Sequence, residues 1–373
     1  MRRPRVKPEH APYRIGGARI RIGGATLGIA AEVEDPTGAV WTLLTTMDGT
    51  RGADQIVQDV VKRHPEMSGA TVRIGMDELI QLGHVEDVAD EDPCELTDRD
   101  MKRYDRSRRW FRWVDPVPRT SSWVPQVRLL QAKVTIVGMG GTGGTAALAL
   151  AASGVGRLHC VDPDVVELSN LNRQVLYNED DLGRPKVDAA VARLRRLNTD
   201  ITITSACRRV AGIAEIAGLA DDCDALVLAA DEPPELRIWT NRACLATRTP
   251  WVDGGYNGPL VGVGLFVPGM GACFECLLKT ENERRRALGI RSDDAPDWST
   301  AVAQAVAAPS AGIAGYLVAH AVLAQITGAP LLPAGRRYEV NLVALDHPGL
   351  LDTAARPDCP ACGGEGSPGP QGE

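Results

Sequence analysis

Hydrophobic spacing divides the chain of 373 residues into three regimes. From about residue 10 to 90, short strand-like pieces at 13–15, 19–22 and 27–33 give way to helical spacing. Val40, Leu43, Leu44 and Met47 form one apolar stripe. Ile56, Val57, Val60 and Val61 form a second, and Val72, Met76, Leu79, Ile80 and Leu82 a third. Gly49 and Gly83 stand where helix stops are expected. The pattern predicts a small α+β domain over 1–90. Residues 91–128 read as a polar connector, with a basic and aromatic run from Arg99 to Trp113 and prolines at 116, 118 and 125. From Lys133 to about Leu345, short apolar strands (134–137, 157–161, 201–204, 225–230 and 250–252) alternate with helical runs. That alternation predicts a Rossmann-like, mostly parallel sheet covered on both faces, an α/β domain over 129–373.

Composition narrows the classes. With 44% hydrophobic and 24% charged residues the chain reads as soluble and globular. A net charge of −7 and a pI near 5.5 argue against a nucleic-acid partner. The basic start MRRPRVKPEH has no apolar core behind it, so a secretory signal is not expected and the nine cysteines read as reduced, cytoplasmic thiols. The stretch 301–326 approaches membrane length. Gln304, Pro309, His320 and Gln325 interrupt it, which favours a buried Ala- and Gly-rich helix over a membrane span.

The strand at 134–137 runs directly into Gly138-Met-Gly140-Gly141-Thr-Gly143, followed by a helical run. Glycines there allow a tight turn and close backbone approach to a phosphate, with the free N–H groups of the next helix facing the anion. The second strand ends at Asp162, suited to ribose hydroxyls. Spacing alone leaves a dinucleotide oxidoreductase and an ATP enzyme open. The residues that follow, LSNLNRQ at 168–174 and GRPK at 183–186, add cations and amides that hydride transfer does not need. Expulsion of pyrophosphate does need them.

GMGGTG, DPDVVELSNLNRQ, GRPK and Asp231 at the end of ALVLAAD resemble the ATP-dependent adenylating family that includes MoeB, ThiF and the ubiquitin-activating enzymes. The resemblance covers 133–345. It implies that Asp162 holds the ribose, that Asn170, Arg173 and Lys186 bind phosphates and stabilise transition-state charge, and that Asp231, with Asp164 as a second candidate, holds Mg²⁺. Arg103-Tyr-Asp-Arg106-Ser107 resembles the family's R-Y-x-R-Q string, with Ser107 replacing the Gln. That match implies a homodimer in which Arg106 reaches the neighbouring site. The rival readings are solvated surface charges at Arg173 and Lys186, and a helix cap at Asp231.

Cys273-Phe-Glu-Cys276 and Cys359-Pro-Ala-Cys362 are two C-x-x-C pairs, the usual makings of a closed structural Zn²⁺ site. A redox C-x-x-C is the alternative. Relatives that form a thioester or acyl disulfide place a cysteine after the first pair. No cysteine lies between Leu277 and Asp358 here, which implies an acyl-adenylate passed on without a covalent enzyme intermediate. The charged run 279–298 reads as a loop.

The first ninety residues are compatible with a winged helix, yet the third helix sets Arg73 against Asp77 and Glu78, which disfavours DNA. AVWTLLTTMDGTRGADQIVQDVVKRHP, followed by MDELIQLGHVED, resembles PqqD-like modules, the leader-peptide recognition elements of ribosomal peptide natural-product pathways. Such modules add a peptide as an extra strand and hold it against the third helix. The combined expectation is Mg-ATP-dependent adenylation of a carboxyl group on a precursor peptide, with further tailoring enzymes as possible partners. Its rivals are adenylation of a Gly-Gly-ending sulfur carrier, non-catalytic delivery of a leader peptide to a cyclodehydratase, and nicotinamide-dependent oxidoreduction.

Overall fold

The computed structural model describes residues 1–89, 93–289 and 305–363, and the chain divides into two compact units. The first comprises Met1–Arg128 with Thr327–Leu331, so the polar stretch 91–128 is folded into it as far as it is described. Strands β1 (Pro4–Val6) and β5 (Val85–Asp87) pair antiparallel. Strands β2 (Tyr13–Ile15), β3 (Arg19–Ile22) and β4 (Ala31–Glu34) make a separate antiparallel sheet with β3 in the centre. Helices α1 (Ala39–Thr46), α2 (Ala53–Arg63) and α3 (Gly69–Gln81) bury Leu43, Leu44, Ile56, Val60, Val72, Met76 and Leu79 in one core with Ile20 and Ile22. Those side chains are the three stripes read from the sequence. Leu82 departs from its stripe and is exposed.

Gly83 ends α3 at φ +74°, with Gly83 N donating to Ile80 O (2.9 Å) and His84 N to Leu79 O (3.0 Å). This is the Schellman arrangement, in which a left-handed residue satisfies the last carbonyls. Two expectations need correction. The strand read at 27–33 begins only at Ala31: Gly23, Gly24 and Gly28 all have positive φ, Ile29 and Ala30 turn back onto Thr26 O, and Leu27 is fully exposed. The basic run is a 17-residue helix, α4 (Asp98–Val114), opened by a reciprocal box between Thr97 and Asp100 and anchored by buried Tyr104 and Phe111. Helix α5 (Val124–Gln131) follows.

The second unit is built on an eight-stranded sheet. Strands β8 (Thr202–Ala206), β7 (Arg157–Val161), β6 (Lys133–Val137), β9 (Ala225–Leu228) and β10 (Trp251–Asn257) lie side by side and parallel. The antiparallel strands β11 (Leu260–Phe266), β12 (Arg336–Asn341) and β13 (Gly349–Asp352) extend it. The chain runs from β6 outward to β7 and β8, then returns to β9 on the other side of β6. That reversal opens a crevice at the carboxyl ends of β6 and β9, where open α/β sheets bind ligands. Helices α6 (Gly141–Ala152), α7 (Lys186–Leu197), α8 (Ile213–Asp221), α9 (Leu236–Thr247) and α10 (Phe274–Ala287) follow in turn.

Helix α11 (Ala308–Thr327) is, among the described residues, the one helix long and apolar enough to cross a bilayer. Its small residues instead serve close packing within the unit. A Cβ on Gly254 of β10 would meet Val318 Cγ2 at 2.0 Å, and one on Gly315 would meet the Thr142 carbonyl of α6 at 2.6 Å. Within the charged run 279–298, residues 279–287 belong to α10, with Glu281 and Arg285 paired one turn apart. The remainder of that run from 290 onward, and residues 301–304 of the apolar stretch, lie outside the described residues.

Candidate active site

The crevice forms a cavity of about 340 Å³ in the second unit. Gly138, Gly140, Asp162, Asp164, Arg173, Lys186 and Asp231, drawn from four separate segments of sequence, all line it. The glycines divide by role. Gly138 turns at φ +95°, and a Cβ there would strike the Ala229 backbone at 2.7 Å. A Cβ on Gly143 would lie 1.8 Å from Gly138 O, and one on Gly141 would lie 2.8 Å from Ala311 Cβ. These three glycines let backbone pack on backbone or neighbouring helix. Only Gly140, whose Cβ would find nothing nearer than Gln174 Nε2 at 3.8 Å, leaves open space toward the cavity. Gly141 and Gly143, expected at the nucleotide, lie at the start of α6 packed on neighbouring atoms and are not among the residues that line the cavity.

Asp162 is buried and holds the turn itself, accepting from Met139 N (2.6 Å) and Asp164 N (2.8 Å). Each carboxylate oxygen retains a lone pair for a ribose hydroxyl. Tyr177 donates to Met139 O at 2.8 Å and braces the same turn; burial raises its phenol. Lys186 is buried at the first position of α7 and contacts Asp164 at 2.9 Å. A cation at the positive end of a helix dipole is locally unfavourable, so its place there suits an anion in the cavity. Arg173 is half-buried at the rim, donating to Ser169 O and Asn172 Oδ1 and lying against the Tyr256 hydroxyl. Asn170 does not line the cavity: its Oδ1 accepts from Glu167 N at 3.1 Å and closes its own short turn. Arg106 is exposed on α4 in the first unit.

Asp231 does not cap α9, which starts at Leu236 without a side-chain cap. Its carboxylate meets Arg237 at 2.8 Å, and Arg237 reaches on to Asp253 at 3.0 Å. Asp253 is fully buried and pairs also with Arg337. Burial alone would raise the Asp253 carboxyl; Arg237 and Arg337 outweigh it and hold it below the usual carboxylate range. This chain of charges, and the lining residues Arg208, Arg209 and Glu232, went unread in the sequence. Arg237 and Arg337 carry no motif and meet only through the fold.

The four cysteines come together as expected. Their sulfurs lie within 4.8 Å of one another, with Cys273–Cys276 at 3.8 Å, Cys273–Cys359 at 3.6 Å and Cys276–Cys362 at 3.4 Å. A tetrahedron of Zn–S bonds of ~2.3 Å spaces its sulfurs about 3.8 Å apart, so the cluster fits zinc. Asn241 Nδ2 lies 3.6 Å from Cys273 Sγ and also donates to Glu275, which pairs with Arg242, the kind of outer support that orients metal ligands. Zinc there would draw the tail and the start of α10 together; four thiolates leave no open position for catalysis.

The ThiF family model matches residues 104–361. The chain is 33% identical over 276 residues to the sulfur carrier protein ThiS adenylyltransferase of Escherichia coli, covering 72% of this chain and 98% of that protein. It is 31% identical over 273 residues to the molybdopterin-synthase adenylyltransferase of the same organism, covering 72% and 99%. A crystal structure of E. coli MccB shares the fold, with a TM-score of 0.76, 23% identity and 97% coverage of both chains. Similar structures also include E. coli MccB with ATP, and the Microcin C7 biosynthetic enzyme MccB in complex with N-formylated MccA. With its glycine turn, crevice lysine and clustered cysteines placed as described, the chain belongs to the ThiF family and is an ATP-using adenylyltransferase.

Proposed function

We propose that the second unit adenylates a carboxyl group on a ribosomally made precursor peptide whose leader is held by the first unit. The observation that carries this reading is the extent of the structural likeness. MccB covers 97% of the chain, the first unit included, whereas the match to the ThiS adenylyltransferase stops at 72%. The first unit's small sheet and three helices suit the winged-helix-like, PqqD-like element read from the sequence. Strand β4 is an edge strand, able to pair with an added peptide strand.

In the proposed step a peptide carboxylate oxygen attacks the α-phosphorus of ATP, the bond to the β-phosphate bridge breaks, and pyrophosphate leaves. An amine, amide or thiol then attacks the acyl carbon and AMP departs with the bridging oxygen. Gly140 admits the phosphates, Asp162 receives the ribose, and Lys186 and Arg173 offset charge developing on the phosphoryl oxygens. Asp231 and Asp164 would supply carboxylates to hold Mg²⁺, and that ion would offset charge on the leaving pyrophosphate. In a homodimer Arg106 would complete the neighbouring site. Tethering the leader raises the local concentration of the core peptide. The cytoplasm, where thiols stay reduced, is the expected compartment.

Hydrogen exchange with candidate precursor peptides tests the clamp. Protection gained by the amides of Ala31–Glu34 supports it; unchanged exchange there at saturating peptide removes it. Adenylation of a Gly-Gly-ending carrier is the second reading, favoured by the match to 98% of the ThiS adenylyltransferase.

A further inference from the structure

The first unit contains a second cavity, of about 300 Å³, walled by β1, β5, α4 and the turn before α5. Five cations line it: Arg5, Lys7, Arg108, Arg112 and Arg119. Four already face carboxylates. Arg5 and Arg112 share Glu86 (2.6 and 3.5 Å), and Arg112 also pairs with Glu9 (2.6 Å). Arg119 pairs with Asp115 (2.7 Å) and Arg108 with Asp105 (3.1 Å).

Lys7 is different. It is only 5% exposed, forms no ion pair among the described residues, and donates one hydrogen bond, to Asp115 O at 2.8 Å. An ammonium has three donors, so two are left over. Burial draws its proton affinity down to about 8, against the pull of Asp115 and Glu86, as befits a buried cation without a counterion. Arg108 Nε is likewise buried without a partner, its guanidinium lying over the Trp123 ring. Ser121 and Ser122 accept hydrogen bonds from Trp123 N and Arg108, which leaves both hydroxyl protons to donate.

We propose that this cavity binds a single carboxylate, taken up by the Lys7 ammonium, Arg108 Nε and the two serine hydroxyls, and that an acidic side chain of the precursor peptide supplies it. Lys7 is the one lining cation with no ion pair among the described residues, so a single carboxylate would complete it. Glu86, Asp87 and Asp115 share the walls and would repel a phosphate dianion more strongly than a single carboxylate. The carboxylate site stands on the cavity alone; its assignment to the peptide rests on the function proposed above.

The test uses the full-length protein with N-acetylaspartate amide, N-acetylasparagine amide and inorganic phosphate as probes, followed by calorimetry near pH 8 in two buffers of different ionisation enthalpy. The aspartate probe is expected to bind with proton uptake as Lys7 gains its counterion, and the asparagine probe is not. Lys7→Met should weaken the aspartate probe about tenfold or more and abolish the uptake while ATP binding is unchanged. Ser122→Ala, a gentler change should Lys7→Met misfold, should weaken it several-fold. Equal binding of the two amides, tighter binding of phosphate, or affinity unmoved by the variants would overturn the site. Amidating each acidic residue of the precursor peptide then identifies the source. A tenfold loss at one position, absent in Lys7→Met, supports the peptide. No sensitive position, with the aspartate probe still bound, overturns the peptide assignment and leaves a free carboxylate as ligand. Failure of adenylation alone would strike the proposed function and leave the probe results standing.

Discussion

Replacing Gly140 and Gly143 by alanine, one at a time, separates nucleotide approach from backbone packing within a single turn. At Gly143 the new methyl would sit 1.8 Å from Gly138 O, a backbone atom in a turn already fixed at φ +95°. Overpacking of this kind costs roughly 1–3 kcal/mol, against a gain of at most about 1 kcal/mol from replacing a helical glycine. A net destabilisation of about 1–2 kcal/mol lowers Tm by roughly 2–8 °C for a unit of this size. At Gly140 the nearest atom is 3.8 Å away and φ is −74°, which any residue adopts, so Tm should stay within about a degree. Its methyl would nonetheless occupy the approach to the phosphates and weaken ATP at least tenfold. Thermal unfolding without nucleotide and calorimetric ATP titration read the two effects. Equal loss of Tm in both variants, or ATP affinity unaffected by Gly140→Ala, would refute this division of roles.

Lys186→Ala and Asp231→Ala should each lower kcat by about 10²–10³ while leaving leader affinity intact; loss of leader affinity in both would argue against separate modules. Cys359→Ser should remove the one zinc per chain that elemental analysis is expected to find, and should speed proteolysis of the tail; full zinc content in the variant would remove the four-thiolate site. Acid should weaken the first unit through His84, buried against His10 at 2.9 Å between ring nitrogens and pushed by burial down to about 4. Between pH 6.5 and 4 the unfolded chain binds the proton and the folded one does not, so stability is lost as pH falls through that window, by roughly 2–3 kcal/mol. Lys7, near His84 in the same network, stays charged throughout. Urea denaturation at pH 7 and 4.5 measures the loss, and His84→Gln should flatten it.

The central parallel strands were legible because β6 and β9 are compact apolar runs that lead straight into the glycine turn and toward Asp231. β7 matches its sequence reading to the residue, and β6 differs by one. The antiparallel extension was not. Along β11, Gly262 and Gly264 interrupt the apolar run to make room for the Arg337 guanidinium of β12 and for the Phe266 ring two residues on, and the first of these needs is visible only across strands. Asp253 looks like an ordinary polar residue at a strand end, and its two arginines lie 16 and 84 residues away. Helix α4 hid behind its charge. Tyr104 and Phe111 are sparse anchors, although the Thr97–Asp100 box that starts the helix stood in plain view. Lys7 gave no signal, because what marks it is a counterion missing at a depth that only the fold creates.

The central claim is tested most directly by following oxygen. With Mg-ATP and a precursor peptide whose carboxyl groups carry ¹⁸O, the account predicts pyrophosphate and AMP in equal amounts. It also predicts one ¹⁸O transferred to the AMP phosphate, because the attacking carboxylate oxygen becomes the bridge that AMP carries away. ADP and inorganic phosphate in place of these, unlabelled AMP, or turnover only with a Gly-Gly-ending carrier would contradict it.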